Sequence, residues 1–344
     1  MHSKILAVFL ASFALSGLAA PSRRATTKVP SLSDIQPHSG LAFSGITVFG
    51  DSFSDNGQAP GSSWELSNHR VPNNPNYFND TARRFSNGPV WVEFLAAGLK
   101  VPLTDYAIGG ATSDTNVFPG TIGGNYTDGP ISVPGAVQQV QKWNSSTPSG
   151  TDISNELFII LAGANDGLNA AGFDVTATTQ VNVTQLALAS TGAIQRMVTT
   201  LTSRGAKKIF IGVYPDLSRA PIVKEYATAG ASSFGLNVKA FSDELRVATT
   251  AYYQTLKSAT TGVKATLGDF YSLSNAVFQN PALFGYKDIV DACVVGTYPV
   301  STLCSTSTAV QNTYLFWDHV HLTTPGHIYI AVDAFLSLVG TYGL

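Results

Sequence analysis

Ile46-Thr47-Val48-Phe49-Gly50-Asp51-Ser52-Phe53-Ser54 is a β-branched apolar run that stops at a glycine, an aspartate and a serine. Its apolar residues are nearly continuous and do not alternate. That is the pattern of a strand covered on both faces, as in a parallel α/β sheet. Leu157-Phe158-Ile159-Ile160-Leu161 and Lys208-Ile209-Phe210-Ile211-Gly212-Val213 repeat it, and Val101 to Ala107 and Ala265 to Phe270 repeat it more weakly. Helical spacing fills the gaps between these runs. Leu186, Ala193, Ile194, Met197, Val198 and Leu201 share one face, with Gly205 as a stop. Phe234, Val238, Phe241, Leu245, Ala248 and Tyr252 form a second such face. Thr324 before Pro325 reads as the N-cap and first turn of a last helix reaching about Val339. Strands alternating with helices predict βαβ units in one three-layer α/β/α sandwich. No linker breaks residues 45–344, which are expected to form a single domain, with 54–88 and 271–312 as loop insertions.

Composition bounds the function. The chain has 344 residues, 44% hydrophobic and only 12% charged, with a net charge of −2. Ample apolar content excludes intrinsic disorder, and near-neutrality excludes a basic face for nucleic acid. Residues 1–19 read as a signal peptide. Lys4 is the positive start, Ile5 to Leu15 the apolar stretch, and Gly17 and Ala19 the small residues before cleavage. Residues 20–44 read as a polar leader or propeptide, in which Arg23-Arg24 is a dibasic pair. Residues 1–24 hold three of the 20 basic residues (Lys4, Arg23, Arg24) and none of the 22 acidic ones, so their removal moves the net charge to −5. No segment is long enough to insert stably in a bilayer. Sequons at Asn79, Asn125, Asn144 and Asn182 add to the expectation of a secreted, extracellular glycoprotein. In that oxidising compartment Cys293 and Cys304 are expected to form one disulfide closing a short loop.

The chemistry starts at Ser52. Ligands of open parallel sheets bind outside the carboxyl ends of strands, which is where this serine falls. A serine there is also commonly no more than a helix N-cap. The far end of the chain shifts the balance. Phe316-Trp317-Asp318-His319-Val320-His321 supplies an acid and two histidines, and three of the six histidines (His319, His321, His327) fall in this region. Serine needs a base to take its proton, histidine suits that task near neutral pH, and a carboxylate fixes the ring tautomer. Asp318 and His321 are spaced to meet on one turn, whereas His319 points elsewhere. Two Gly-rich turns follow other strands: Ala107-Ile108-Gly109-Gly110-Ala111-Thr112-Ser113 and Leu161-Ala162-Gly163-Ala164-Asn165-Asp166-Gly167. Each offers a hydrogen-bond donor at the same sheet edge, a backbone N–H and a side-chain amide. Singly, each is an ordinary strand-to-helix turn.

The ordered set of Gly-Asp-Ser, a Gly-rich turn, Gly-x-Asn-Asp and Asp-x-x-His resembles the GDSL, or SGNH, hydrolases from residue 46 to about 335. The first block reads Gly-Asp-Ser-Phe where the family name has leucine. The resemblance implies a flavodoxin-like parallel sheet, with Ser52 as nucleophile, His321 as base and Asp318 as orienting acid. It implies an oxyanion hole from the Ser52 N–H, the Gly110 N–H and the Asn165 amide, and no cofactor or metal. Gly110 is matched as the glycine preceding Ala-Thr-Ser. Arg84-Phe85-Ser86-Asn87-Gly88-Pro89-Val90-Trp91 resembles a stretch in longer secreted and plant-type members. Likeness to secreted fungal members of carbohydrate esterase family 16 implies removal of acetyl groups from plant cell-wall saccharides. The partner is then a small-molecule or oligosaccharide ester.

Three alternatives stand beside this reading. A secreted lipase or lysophospholipase would act on longer acyl esters with the same residues. A metal-dependent phosphoesterase would use Asp318, His319 and His321 as ligands, but lacks histidines near the first strand. A non-catalytic carbohydrate-binding protein would use some of the 4 tryptophans and 13 tyrosines for stacking. It would not need all four blocks.

Overall fold

The computed structural model describes residues 31–37, 41–58, 61–69, 71, 83–123, 129–171, 182–230, 232–259, 262–296 and 301–343. The signal-peptide and dibasic expectations fall outside these residues, as do Asn79 and Asn125. All five expected strands form. They are β1 (Ile46–Gly50), β2 (Leu103–Asp105), β3 (Leu157–Leu161), β4 (Lys208–Val213) and β5 (Lys264–Asp269). They lie in the order β2-β1-β3-β4-β5 and every pairing is parallel. This is the flavodoxin-like order, which reverses direction between β1 and β3 and opens a crevice at their carboxyl ends.

The continuous apolar runs have a plain cause. Successive residues of a strand face opposite sides, and both sides are covered. Ile46, Val48, Leu157, Ile159 and Phe210 enter one core, against Trp91–Leu99 (α1) and Thr324–Tyr342 (α8). Phe49, Phe158, Ile160, Ile209 and Ile211 enter the other, against Ala136–Ser146 (α2) and Val183–Ser203 (α4). Between them in sequence run Ala164–Ala170 (α3), Pro221–Thr228 (α5), Ser232–Ser258 (α6) and Phe270–Gln279 (α7). Asn182 caps α4 by accepting the Gln185 N–H at 3.1 Å, and Gly205 ends it with φ +103°.

Two expectations change. The N-cap of α8 is Thr323, not Thr324, and the helix reaches Tyr342. Thr324 is already helical, and the Asn87 side chain accepts both its N–H (2.8 Å) and its hydroxyl (3.0 Å). Residues 271–312 are not a plain loop insertion. They hold most of α7, the strand Asp288–Ala292 paired in parallel with Tyr314–Phe316, and the antiparallel pair Val294–Val295 with Thr302–Leu303. The described part of 54–88 contains one short helix, Ser63–Leu66.

Candidate active site

β1 delivers Ser52 to the carboxyl edge of the sheet. The Gln139 side chain clamps the end of the strand: its Oε1 accepts the Gly50 N–H at 2.9 Å and its Nε2 donates to the Gly50 carbonyl at 2.8 Å. A Cβ on Gly50 would lie 2.5 Å from the Leu161 carbonyl oxygen, so only glycine lets β1 and β3 end this close. The chain then turns, with Asp51 O accepting the Ser54 and Asp55 N–H groups. Ser52 is only 7% exposed.

The C-terminal turn meets it. Trp317 N–H donates to His321 O at 2.7 Å and closes a loop in which Asp318 Oδ1 accepts the Val320 and His321 N–H groups at 2.9 and 2.8 Å. The same carboxylate takes His321 Nδ1 at 2.7 Å through Oδ2. Because the carboxylate only accepts, the ring proton belongs on Nδ1, which leaves Nε2 as an acceptor. Ser52 Oγ lies 2.6 Å from Nε2 and donates to it. Phe85 and Phe53 flank the imidazole at 5.0 and 6.1 Å between ring centroids. The Phe85 stretch also ties the loop down, since Ser86 Oγ donates to Leu322 O at 2.8 Å.

His319 turns away, its Nδ1 2.6 Å from Glu225 Oε1 on α5. Burial opposes its charge, but Asp318 and Glu225 outweigh that and hold its pKa above the ordinary value. Among the described residues no group of three or more His, Cys, Asp or Glu is placed to hold a metal. The ligand set of the phosphoesterase alternative therefore does not converge. His327 is enclosed, neither ring nitrogen has a hydrogen-bond partner among the described residues, and burial pushes its pKa down to about 3, so it sits there neutral.

The two Gly-rich turns arrive at the same edge. The Gly109 N–H is taken by Asp55 Oδ2 (2.9 Å) and Ser63 Oγ (2.6 Å). The Gly110 N–H and the Ser52 N–H meet no acceptor among the described residues. Asn165 Nδ2 donates to Ala111 O at 2.9 Å and lies 3.4 Å from Asp51 Oδ2. Asp166 binds the two turns together by accepting the Ser113 N–H (2.7 Å), the Ser113 hydroxyl (2.5 Å) and the Ser190 hydroxyl (2.8 Å). Two unused backbone N–H groups, and an amide that gives one N–H to Ala111 O and holds only a long 3.4 Å contact with the other, thus lie at the edge that carries the hydrogen-bonded serine, histidine and aspartate.

Sequence reading missed Tyr214, whose hydroxyl lies 2.6 Å from Asp51 Oδ2, and the Gln139 clamp. The one available signal for Tyr214 was its place directly after β4, at the same strand edge. Cys293 and Cys304 are disulfide-bonded with Cα atoms 4.7 Å apart. Of the described sequons, Asn182 is exposed, with its Oδ1 used in the helix cap, and Asn144 is half-buried, with its Oδ1 bound by Arg204.

A parallel α/β sheet that joins Ser, His and Asp at its carboxyl edge holds the groups that acyl transfer requires. Residues 46–333 match the family described as GDSL-like Lipase/Acylhydrolase. The chain belongs to that family, a family of carboxylic ester hydrolases. It is 25% identical over 298 residues to the thermolabile hemolysin of Vibrio parahaemolyticus, covering 83% of this chain and 62% of that protein. It is 28% identical to the phosphatidylcholine-sterol acyltransferase of Aeromonas hydrophila (79% of this chain, 71% of that one). It is 23% identical to a GDSL esterase/lipase of Arabidopsis thaliana (86% of this chain, 91% of that one).

Proposed function

We propose that this chain hydrolyses carboxylic esters through an acyl-enzyme on Ser52. The observation that carries the reading is the unbroken line from Ser52 Oγ to His321 Nε2 (2.6 Å) and from Nδ1 to Asp318 (2.7 Å). His321 takes the serine proton as Oγ attacks the ester carbonyl, then returns it to the departing alcohol. The carbonyl oxygen becomes an anion facing the Ser52 N–H, the Gly110 N–H and the Asn165 amide; one such donor lowers the barrier by about 3 kcal/mol. Water repeats the sequence on the acyl-enzyme. Residues 45–344 act as one hydrolase domain in this reading. The secreted, glycosylated state belongs to the proposal too, supported by the apolar Ile5–Leu15 stretch and the four sequons.

For the substrate we put first the acetyl esters of plant cell-wall saccharides. One observation favours a second reading, a lipase or lysophospholipase acting on longer acyl esters. A pocket with almost wholly apolar walls, including Phe53, Leu217, Phe270, Val277, Val320 and Leu322, borders the residues next to Ser52 and His321. The Aeromonas and Arabidopsis relatives carry acyltransferase and lipase names. Hydrolysis rates of 4-nitrophenyl esters of rising chain length separate the two. The first reading expects acetate to be cleaved faster than octanoate, and the reverse order gives the second. In either case Ser52→Ala should lower kcat by about 10⁴-fold or more at an unchanged thermal midpoint. Turnover that survives this substitution sinks the acyl-enzyme.

A further inference from the structure

We propose that Asp51 and Tyr214 are positioning residues that keep the nitrogen of the Asn165 amide, and not its oxygen, facing the reacting carbonyl. The inference rests on the acyl-enzyme reading and adds two residues to it. Asn165 Nδ2 stands between two acceptors, Ala111 O at 2.9 Å and Asp51 Oδ2 at 3.4 Å. Turned over, the amide would press its own oxygen against a carbonyl and a carboxylate. The Ala111 carbonyl acts at any pH. Asp51 repels the flipped amide fully only as a carboxylate.

Tyr214 decides how Asp51 holds its charge. Its hydroxyl lies 2.6 Å from Asp51 Oδ2 and 2.9 Å from Leu161 O, and a phenol has one proton to donate. With Asp51 ionised, the phenol donates to the carboxylate, and Oδ2 still attracts the Asn165 amide. With Asp51 protonated, the acid donates to the phenol oxygen, and the phenol turns to Leu161 O. Oδ2 then draws the amide only as a neutral acceptor, without its charge. The other groups facing Asp51 are the Phe53 N–H (3.1 Å, to Oδ1), His321 from the C-terminal turn and Asp166 from α3. Burial raises the Asp51 pKa to about 6. The Tyr214 hydrogen bond, the Phe53 N–H and His321 pull it down, and Asp166 adds to the rise. Removing the phenol oxygen therefore lifts it further.

The test is the pH dependence of kcat for Tyr214→Phe on 4-nitrophenyl acetate. The ring, edge-on to Phe53 at 5.7 Å, is kept. The acid limb should move up by about one pH unit, with KM changed by no more than about twofold. The direction discriminates, because a loss of Asp51 charge felt through His321 alone would lower the imidazole's proton affinity and move the limb down. In an Asn165→Ala background, where there is no amide to orient, Tyr214→Phe should shift nothing. Asp51→Asn is the second variant: an amide does not titrate, so adding Tyr214→Phe to it should leave the limb where it is. A limb that stays or moves down in Tyr214→Phe overturns the proposal. So does an upward shift that persists in either background. Inactive Ser52→Ala beside an unmoved limb would remove only this inference; an active Ser52→Ala would remove the reading beneath it.

Discussion

Gly110 has φ +72°, and a Cβ built there would lie 2.0 Å from the Thr121 carbonyl oxygen. Its neighbour Gly109 is equally confined, with a Cβ falling 2.5 Å from the Phe85 ring, yet its N–H is consumed by Asp55 and Ser63. The pair divides the task, one glycine anchoring the turn and the other offering its N–H. Gly110→Ala adds left-handed strain and a backbone clash, and should cost about 3 kcal/mol or more of stability. A displaced N–H should also lower kcat by about 10²-fold. Thermal melts and kcat together check this, and a variant with native melting and turnover would refute the role. The choice of Gly110 comes from the family resemblance, which matches the glycine before Ala-Thr-Ser; neither glycine stands out from the residues alone, since both lie in one ordinary strand-to-helix turn. Tyr214 was not legible. A tyrosine after an apolar strand looks like any core aromatic, and the aspartate it meets is 163 positions away.

At the scale of elements, the turn carrying Asp318 and His321 is held from two sides. On one side Ser86 and Asn87 grip Leu322 and Thr324. On the other, the strand Asp288–Ala292 runs beside Tyr314–Phe316. The pairing continues as Cys293 N–H to Phe316 O (3.1 Å) and Val294 N–H to Trp317 O (2.7 Å), one residue short of Asp318. The disulfide closes this brace, with Cys304 N–H also donating to Cys293 O at 2.6 Å. Replacing both cysteines by serine should remove at most about 3 kcal/mol and lower the melting midpoint by about 5–10 °C. If the brace positions the acid and base, kcat should fall while KM holds. Unchanged melting and kcat would show that the bridge braces nothing. Sequence reading found the two cysteines but not the strands around them. Asp288-Ile289-Val290-Asp291-Ala292 is too short and too charged to read as a strand, and it pairs only because Tyr314–Phe316 comes back beside it. The sheet itself was legible because β1, β3 and β4 are buried along nearly their whole length.

Over the whole molecule, a chain with only 12% charged residues places buried carboxylates at one edge of its sheet. Asp51 and Asp55 follow β1, Asp105 ends β2, and Asp166 begins the helix after β3, all buried. Burial raises the pKa of each one above the ordinary value. The sign of the linkage follows. A carboxyl whose folded pKa exceeds its unfolded pKa holds a proton in the native state that the unfolded chain has already released. Stability therefore falls as pH rises from the ordinary value toward the folded one, and levels off above it. For Asp51, raised from 3.8 to about 6, the loss is about 3 kcal/mol. Asp51→Asn removes that titration while keeping the shape of the side chain. Its melting midpoint should gain on the parent between about pH 4 and pH 6 and hold the gain at higher pH. Turnover should fall as the Asn165 amide loses the carboxylate charge that orients it, so stability and activity would move in opposite directions at one residue, as expected where function keeps a strained charge. Thermal melts of both proteins across that range test it. A difference that does not vary with pH would mean that Asp51 is not held ionised against its burial, and that the cost at this edge lies elsewhere.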